Sequence, residues 1–181
     1  PIESNLIPGW PQGPAINSEA AVVMDAKTGA ILYEKNMNAA EYPASITKIM
    51  TALVALENSS LDEIVTFSDN AVFSIERDSS HIARTTGEQL TMEQCLYALL
   101  LESANECANA IAEHVAGSVD AFAGMMNQKA QELGCTNTHF VNPHGLHDEN
   151  HYTTARDMAV IVQAALQNDT FRTIAGTAQY T

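Results

Sequence analysis

Ser45 and Lys48 stand three residues apart in Tyr42-Pro43-Ala44-Ser45-Ile46-Thr47-Lys48-Ile49-Met50, and a serine beside an amine is the raw material of nucleophilic catalysis. On a helix, positions i and i+3 are surface neighbours, so hydroxyl and amine can share a proton. Lysine acts as a base only when neutral. Burial, together with a place in the positively polarised first turn, lowers its pKa. The bland alternative is a capping serine beside a solvated lysine. Chance alone supplies about a quarter of an S-x-x-K match in a chain of this composition, so the spacing needs support from elsewhere. That support is a second polar group, Ser103-Ala104-Asn105, which breaks an otherwise apolar stretch and could point into a cleft.

These residues must be positioned by regular elements. Ile46, Ile49, Met50, Leu53 and Val54 form an i, i+3, i+4, i+7, i+8 stripe, which predicts a helix that Pro43 opens and that ends near Asn58. Before it, Ala20-Ala21-Val22-Val23-Met24 and Ala30-Ile31-Leu32-Tyr33 read as two strands around the turn Asp25-Ala26-Lys27-Thr28-Gly29. Ile64 to Phe67 predicts a short strand, and the stretch from there to Gly87 carries no periodic signal. Thr91-Met92-Glu93-Gln94 has the form of a capping box ahead of a helix from Met92 to Leu101. Ser103 and Asn105 then fall between that helix and a second, from Cys107 to Val115. A further helix carries Phe122, Met125, Met126, Ala130 and Leu133 and finishes at Gly134. A loop of histidines follows, and Thr154 opens a helix with Met158, Ile161, Val162, Ala165 and Leu166 on one face. From Phe171 the pattern fades.

Composition narrows the function classes. The chain has 181 residues, 46% of them hydrophobic and 17% charged, the profile of one folded domain, residues 1–181, dominated by helices. A net charge of -14, with no stretch that supplies a basic patch, argues against nucleic acid and anionic lipid headgroups as partners. No apolar run is long enough for a transmembrane helix, and Pro1 to Pro14 is too polar for a signal peptide, which fits a mature end left by cleavage. Cys95, Cys107 and Cys135 are odd in number and lack metal-like spacing, so buried free thiols are expected.

Ser45-x-x-Lys48 followed by Ser103-x-Asn105 matches two of the three motifs shared by β-lactamases and penicillin-binding proteins. The chain resembles the low-molecular-mass penicillin-binding proteins, the serine-type D-alanyl-D-alanine carboxypeptidases. Asp25 to Glu34, Tyr42 to Met50, Leu100 to Ala108, Thr138 to Leu146 and His151 to Asp157 carry the likeness. It implies an α+β, β-lactamase/DD-peptidase-like fold: a helical region, the N-terminal β-hairpin, and a central antiparallel sheet whose C-terminal strands lie outside these residues. It implies Ser45 as acylated nucleophile and Lys48 as its base. Ser103 would relay a proton to the leaving amine, and Asn105 would bond the substrate's peptide and help orient Lys48. The Ser45 N–H would form half of the oxyanion hole. The implied partners are peptidoglycan stem peptides and β-lactams. The implied place is outside the cytoplasm, secreted or at the cell envelope, and neither metal nor cofactor is required.

The third motif, K-T-G, does not follow these two. Lys27-Thr28-Gly29 spells it but precedes the nucleophile, in the hairpin turn. Completion by a complementary C-terminal chain or a neighbouring copy is therefore expected, and low activity without it. Three alternatives remain. A class A-like β-lactamase would need an E-x-x-L-N pentapeptide after Asn105, which is absent. A non-catalytic cell-wall peptide-binding or partner-binding module would keep the fold without turnover. A zinc site could be drawn from His139, His144, His147, Asp148 and His151, but their spacing matches no established zinc motif, and histidines bonded to loop backbone are the simpler expectation.

Overall fold

The computed structural model describes residues 7–180, so part of the proline-rich start read as a mature end lies outside the described residues. Strands β1 (Ala21–Met24) and β2 (Ile31–Lys35) form an antiparallel hairpin with Val23 opposite Tyr33 and an irregularity between Val23 and Met24. The turn between them is held by Asp25, whose carboxylate accepts from the N–H groups of Lys27 and Thr28 and from the Thr28 hydroxyl. Lys27-Thr28-Gly29 is thus occupied as turn structure, and Gly29 takes the positive φ of 73° that a side chain resists.

A 3-10 turn, Ala44–Ile46, leads directly into α1 (Thr47–Asn58). The expected helix therefore opens as a tighter coil, with Ser45 in the 3-10 turn and Lys48 in the first α turn. Every residue of α1 from Met50 to Ala55 is buried, so this helix is wrapped on all sides rather than on one stripe. It packs against α3 (Met92–Leu101), α4 (Asn105–Ala116), α5 (Val119–Glu132), α6 (Ala155–Ala165) and α7 (Asp169–Ala175). Phe67, Phe122, Phe140, Leu96, Ile111 and Ile161 fill the core around it.

Two elements had no periodic signal in the sequence: α2 (Asp69–Phe73), capped by the Ser68 hydroxyl, and β4 (Gln89–Thr91), which pairs antiparallel with β3 (Ile64–Thr66). Both are too short to show a period. The capping box is present in both directions between Thr91 and Gln94, a device worth about 1 kcal/mol. One boundary moves to the point of interest: α4 starts at Asn105, not Cys107, so Asn105 occupies a helical first turn rather than the loop. The break is made by Glu102 as C-cap of α3 and by Ser103 at a φ of 55°. All three cysteines are free and buried, as their number and spacing suggested. Among the described residues no helix is long and apolar enough to cross a membrane.

Candidate active site

Ser45 is exposed while Lys48, one turn on, is only 2% exposed. The Lys48 Nζ lies 3.2 Å from Ser45 Oγ and 2.7 Å from the backbone carbonyl of His144, to which it donates. Burial brings the amine down to about 8, the carboxylate of Glu106 opposing that shift. Dehydration inside the core, rather than the polarised helix start, is thus what brings this amine within reach of the neutral form near neutral pH.

The loop between α5 and α6 clamps the helix that carries the pair. Thr47 Oγ1 and His151 Nε2 are 2.8 Å apart, and the Thr51 hydroxyl donates to Pro143 O at 2.6 Å. Together with the Lys48 bond, three residues of one α1 face are tied to the loop. His151 Nδ1 accepts from Val141 N–H, which leaves Nε2 protonated and makes His151 the donor to Thr47. His144 Nδ1 accepts from Leu146 N–H, and His139 Nδ1 bonds Asn150 O. Burial pushes both His144 and His151 down to about 4, and the Lys48 charge adds to the effect at His144. His144 and His151 therefore work as neutral loop staples. Among the described residues, no group of three His, Cys, Asp or Glu is placed to hold a metal ion.

Gly145 is where the loop meets the backbone just before Ser45. A Cβ built there would lie 1.8 Å from the carbonyl oxygen of Ala44, the residue before Ser45, so only glycine fits, and its φ is 89°. Ala44 is itself at a φ of 51°, a conformation that costs a non-glycine residue about 1 kcal/mol or more. Ser45 is presented on this constrained elbow.

The second polar pair arrives with α4, which packs on α1. Asn105 is buried, and its N–H donates to Ser80 O at 2.9 Å. The Ser103 hydroxyl is buried with no hydrogen-bond partner. Neither residue bonds to Ser45 or Lys48; the acceptor that orients Lys48 is the His144 carbonyl, a role expected of Asn105. A backbone carbonyl leaves no residue type to search for, so the sequence could not name it. Gly145 and His144 stood out in the sequence as parts of a familial loop, His144 also as one member of the zinc alternative, and neither as a partner of Lys48 or Ala44.

The sequence model of the D-alanyl-D-alanine carboxypeptidases matches residues 9–181. The chain belongs to that family. It is 38% identical to the D-alanyl-D-alanine carboxypeptidase DacF of Bacillus subtilis over 168 residues and 36% identical to DacA of Escherichia coli over 171. Each match takes in 90% of this chain but 42% of the relative, so the chain spans about two-fifths of those carboxypeptidases. Among solved structures, penicillin binding protein 5 of Haemophilus influenzae superposes with a TM-score of 0.87 at 34% identity, over 94% of this chain and 51% of that one. A variant of the Streptomyces K15 DD-transpeptidase gives 0.88 at 34%, over 93% and 68%. The fold is α+β, of the DD-peptidase type.

Proposed function

We propose that the protein is a serine D-alanyl-D-alanine carboxypeptidase, working outside the cytoplasm on peptidoglycan stem peptides through an acyl-enzyme on Ser45. The observation that carries this reading is the exposed Ser45 hydroxyl 3.2 Å from a buried Lys48 whose proton affinity burial has reduced to about 8. One Lys48 N–H is committed to His144 O, which aims the lone pair of the neutral amine at Ser45. Ser45 Oγ attacks the carbonyl of the penultimate D-alanine while its proton passes to Nζ. The C–N bond then breaks, and the proton leaves on the amine of the departing D-alanine, with Ser103 as relay. Water later hydrolyses the ester. The Ser45 N–H lies in the first turn of a helix, among the donors a helix leaves unpaired, and serves as one oxyanion donor. Asn105 holds the substrate's peptide. A β-lactam enters the same chemistry and stays attached.

Residues 1–181 form, in this reading, one incomplete transpeptidase-like domain. The hairpin's inner face, α1 and α6 leave an apolar groove of about 480 Å³ between Val22, Met24, Ile49, Met158 and Val162. A two-stranded sheet is marginal alone. Further strands, from a segment outside these residues or a second copy, cover it, and such a segment also brings the K-T-G that a second copy could not.

Intact-mass analysis of the full-length protein with penicillin tests the assignment. A single adduct mapped to Ser45 is expected, and undiminished labelling of Ser45→Ala would sink it. D-alanine release by residues 1–181 alone, compared with the full-length protein, tests the incompleteness: equal rates would refute it.

A further inference from the structure

Acidic residues outnumber lysine and arginine by 22 to 8 in this chain, and Arg77 and Arg84 nevertheless meet His81 in the wall of one cavity of about 410 Å³. Positive charge gathered against so acidic a background attracts anions. Its donors are open. Arg77 is exposed, and among the described residues its guanidinium enters no hydrogen bond or ion pair. His81 is exposed too, and its Nδ1 accepts from the Ala83 N–H at 3.1 Å, which leaves the ring proton on Nε2 as a donor. Arg84 is partly committed: Nε and Nη2 donate to Ile82 O, and Nε lies 3.7 Å from Glu88.

This cavity is joined to the S-x-N side of the site by hydrogen bonds. Asn105 N–H donates to Ser80 O at 2.9 Å, and the Glu106 carboxylate accepts from Ile82 N–H at 2.7 Å, so His81 lies between two residues fastened to the first turn of α4. Glu106 is the acid in the wall, but it is 1% exposed and its second oxygen is buried without a partner, whereas the basic groups face solvent. Ala83 closes the turn at a φ of 58°, a conformation an alanine adopts only at a cost. Val72, Phe73 and Ile75 give the cavity an apolar side, and Phe73 is 73% exposed. A side chain with a methylene stem and a carboxylate end matches both halves: the stem covers the apolar side and the carboxylate meets Arg77 and His81.

We propose that this cavity is a specificity subsite: it takes the side chain of the residue just before the substrate's D-alanyl-D-alanine pair and selects one that ends in a free carboxylate, through Arg77 and His81. The inference rests on the reading of the protein as a D-alanyl-D-alanine carboxypeptidase whose Asn105 holds the substrate's peptide. A peptide held there runs past the first turn of α4, to which the cavity wall is bonded, so the first long side chain upstream of the scissile bond is the one within reach. Because Arg77 and His81 are exposed, the selection is modest, about the factor of five that a solvated charge pair supplies, or somewhat more with two donors.

The test is kcat/KM for D-alanine release by the full-length protein from paired peptides that differ only in the residue before the D-alanyl-D-alanine end. The pairs are glutamate against glutamine, and the homologues of each that are longer by one and two methylenes. At least one carboxylate peptide should be preferred over its amide by about five- to tenfold, and the preference should fall to near one when Arg77→Gln and His81→Ala are combined, with a thermal melt to show that the variant folds. No preference in any wild-type pair, or one that survives the double variant, would overturn the inference and leave the enzyme reading standing. A variant that slows both members of every pair equally would place the cavity on a group common to all the peptides and overturn it as well. Release from no peptide by the wild type would remove the carboxypeptidase reading, and the inference with it.

Discussion

The loop from Thr138 to Thr153 and the segment from Glu102 to Asn109 both pack onto α1 or its neighbours, yet their polar groups are treated differently. In the loop, His144, His151, Asn142 and Thr138 each have partners, and the loop reaches α1 through Thr47, Lys48 and Thr51. In the segment, the Ser103 hydroxyl, one oxygen of Glu106 and one of Asn109 are buried without partners. Buried polar groups are ordinarily paired. One flank is finished scaffold that holds Lys48 in place. The other keeps hydrogen-bonding capacity in reserve, where the proposed substrate and proton relay would use it.

The largest test of this contrast lies on the pair itself. Lys48→Ala should cut the β-lactam acylation rate of the full-length protein by about 10⁴-fold or more while the circular dichroism spectrum is retained. Retention of more than a tenth of the rate would break the assignment. On the scaffold flank, Gly145→Ala should destabilise by about 3 kcal/mol in chemical denaturation, because the methyl meets the Ala44 carbonyl. A neutral result would mean that the loop can move away from the Ala44-Ser45 elbow and is not a rigid clamp.

The clamp should also loosen in acid. The folded-state values of His144 and His151, about 4, lie below the ordinary 6.5, so between these limits the unfolded chain binds more protons. The stability they contribute is present above about pH 6.5 and is lost as pH falls toward 4. Denaturation midpoints at pH 7.5 and 5 should differ by roughly 4 kcal/mol in free energy, about 2 from each histidine, and Thr47→Val with His151→Phe should reduce that difference. A pH-independent midpoint would contradict neutral, buried histidines.

The smallest effect on stability belongs to the other flank. Ser103→Ala removes a buried hydroxyl with no partner, so the melting free energy should stay level or rise by up to about 1 kcal/mol. Turnover of a D-alanyl-D-alanine peptide should nonetheless fall about 100-fold. A variant destabilised like the Gly145 one would erase the distinction between the two flanks.

Ser45 and Lys48 were legible from the chain because their proximity is local: three residues of helix suffice to bring them together, and an apolar stripe is enough to announce that helix. The helices at Met92, Val119 and Ala155 were legible for the same reason, through period and caps. The sequence also placed the chain in its family before any coordinates, through short stretches around the pair and the histidine loop. What tertiary structure decided are the contacts across long separations in sequence. The His144 carbonyl on Lys48, His151 on Thr47 and Gly145 against Ala44 each join residues about a hundred positions apart, and two of those three use backbone atoms. No residue type advertises a carbonyl. The pKa of Lys48 belongs to the same class: the sequence put a lysine in a first turn, but the helices packed around α1 removed the water, and desolvation is a property of the assembled core.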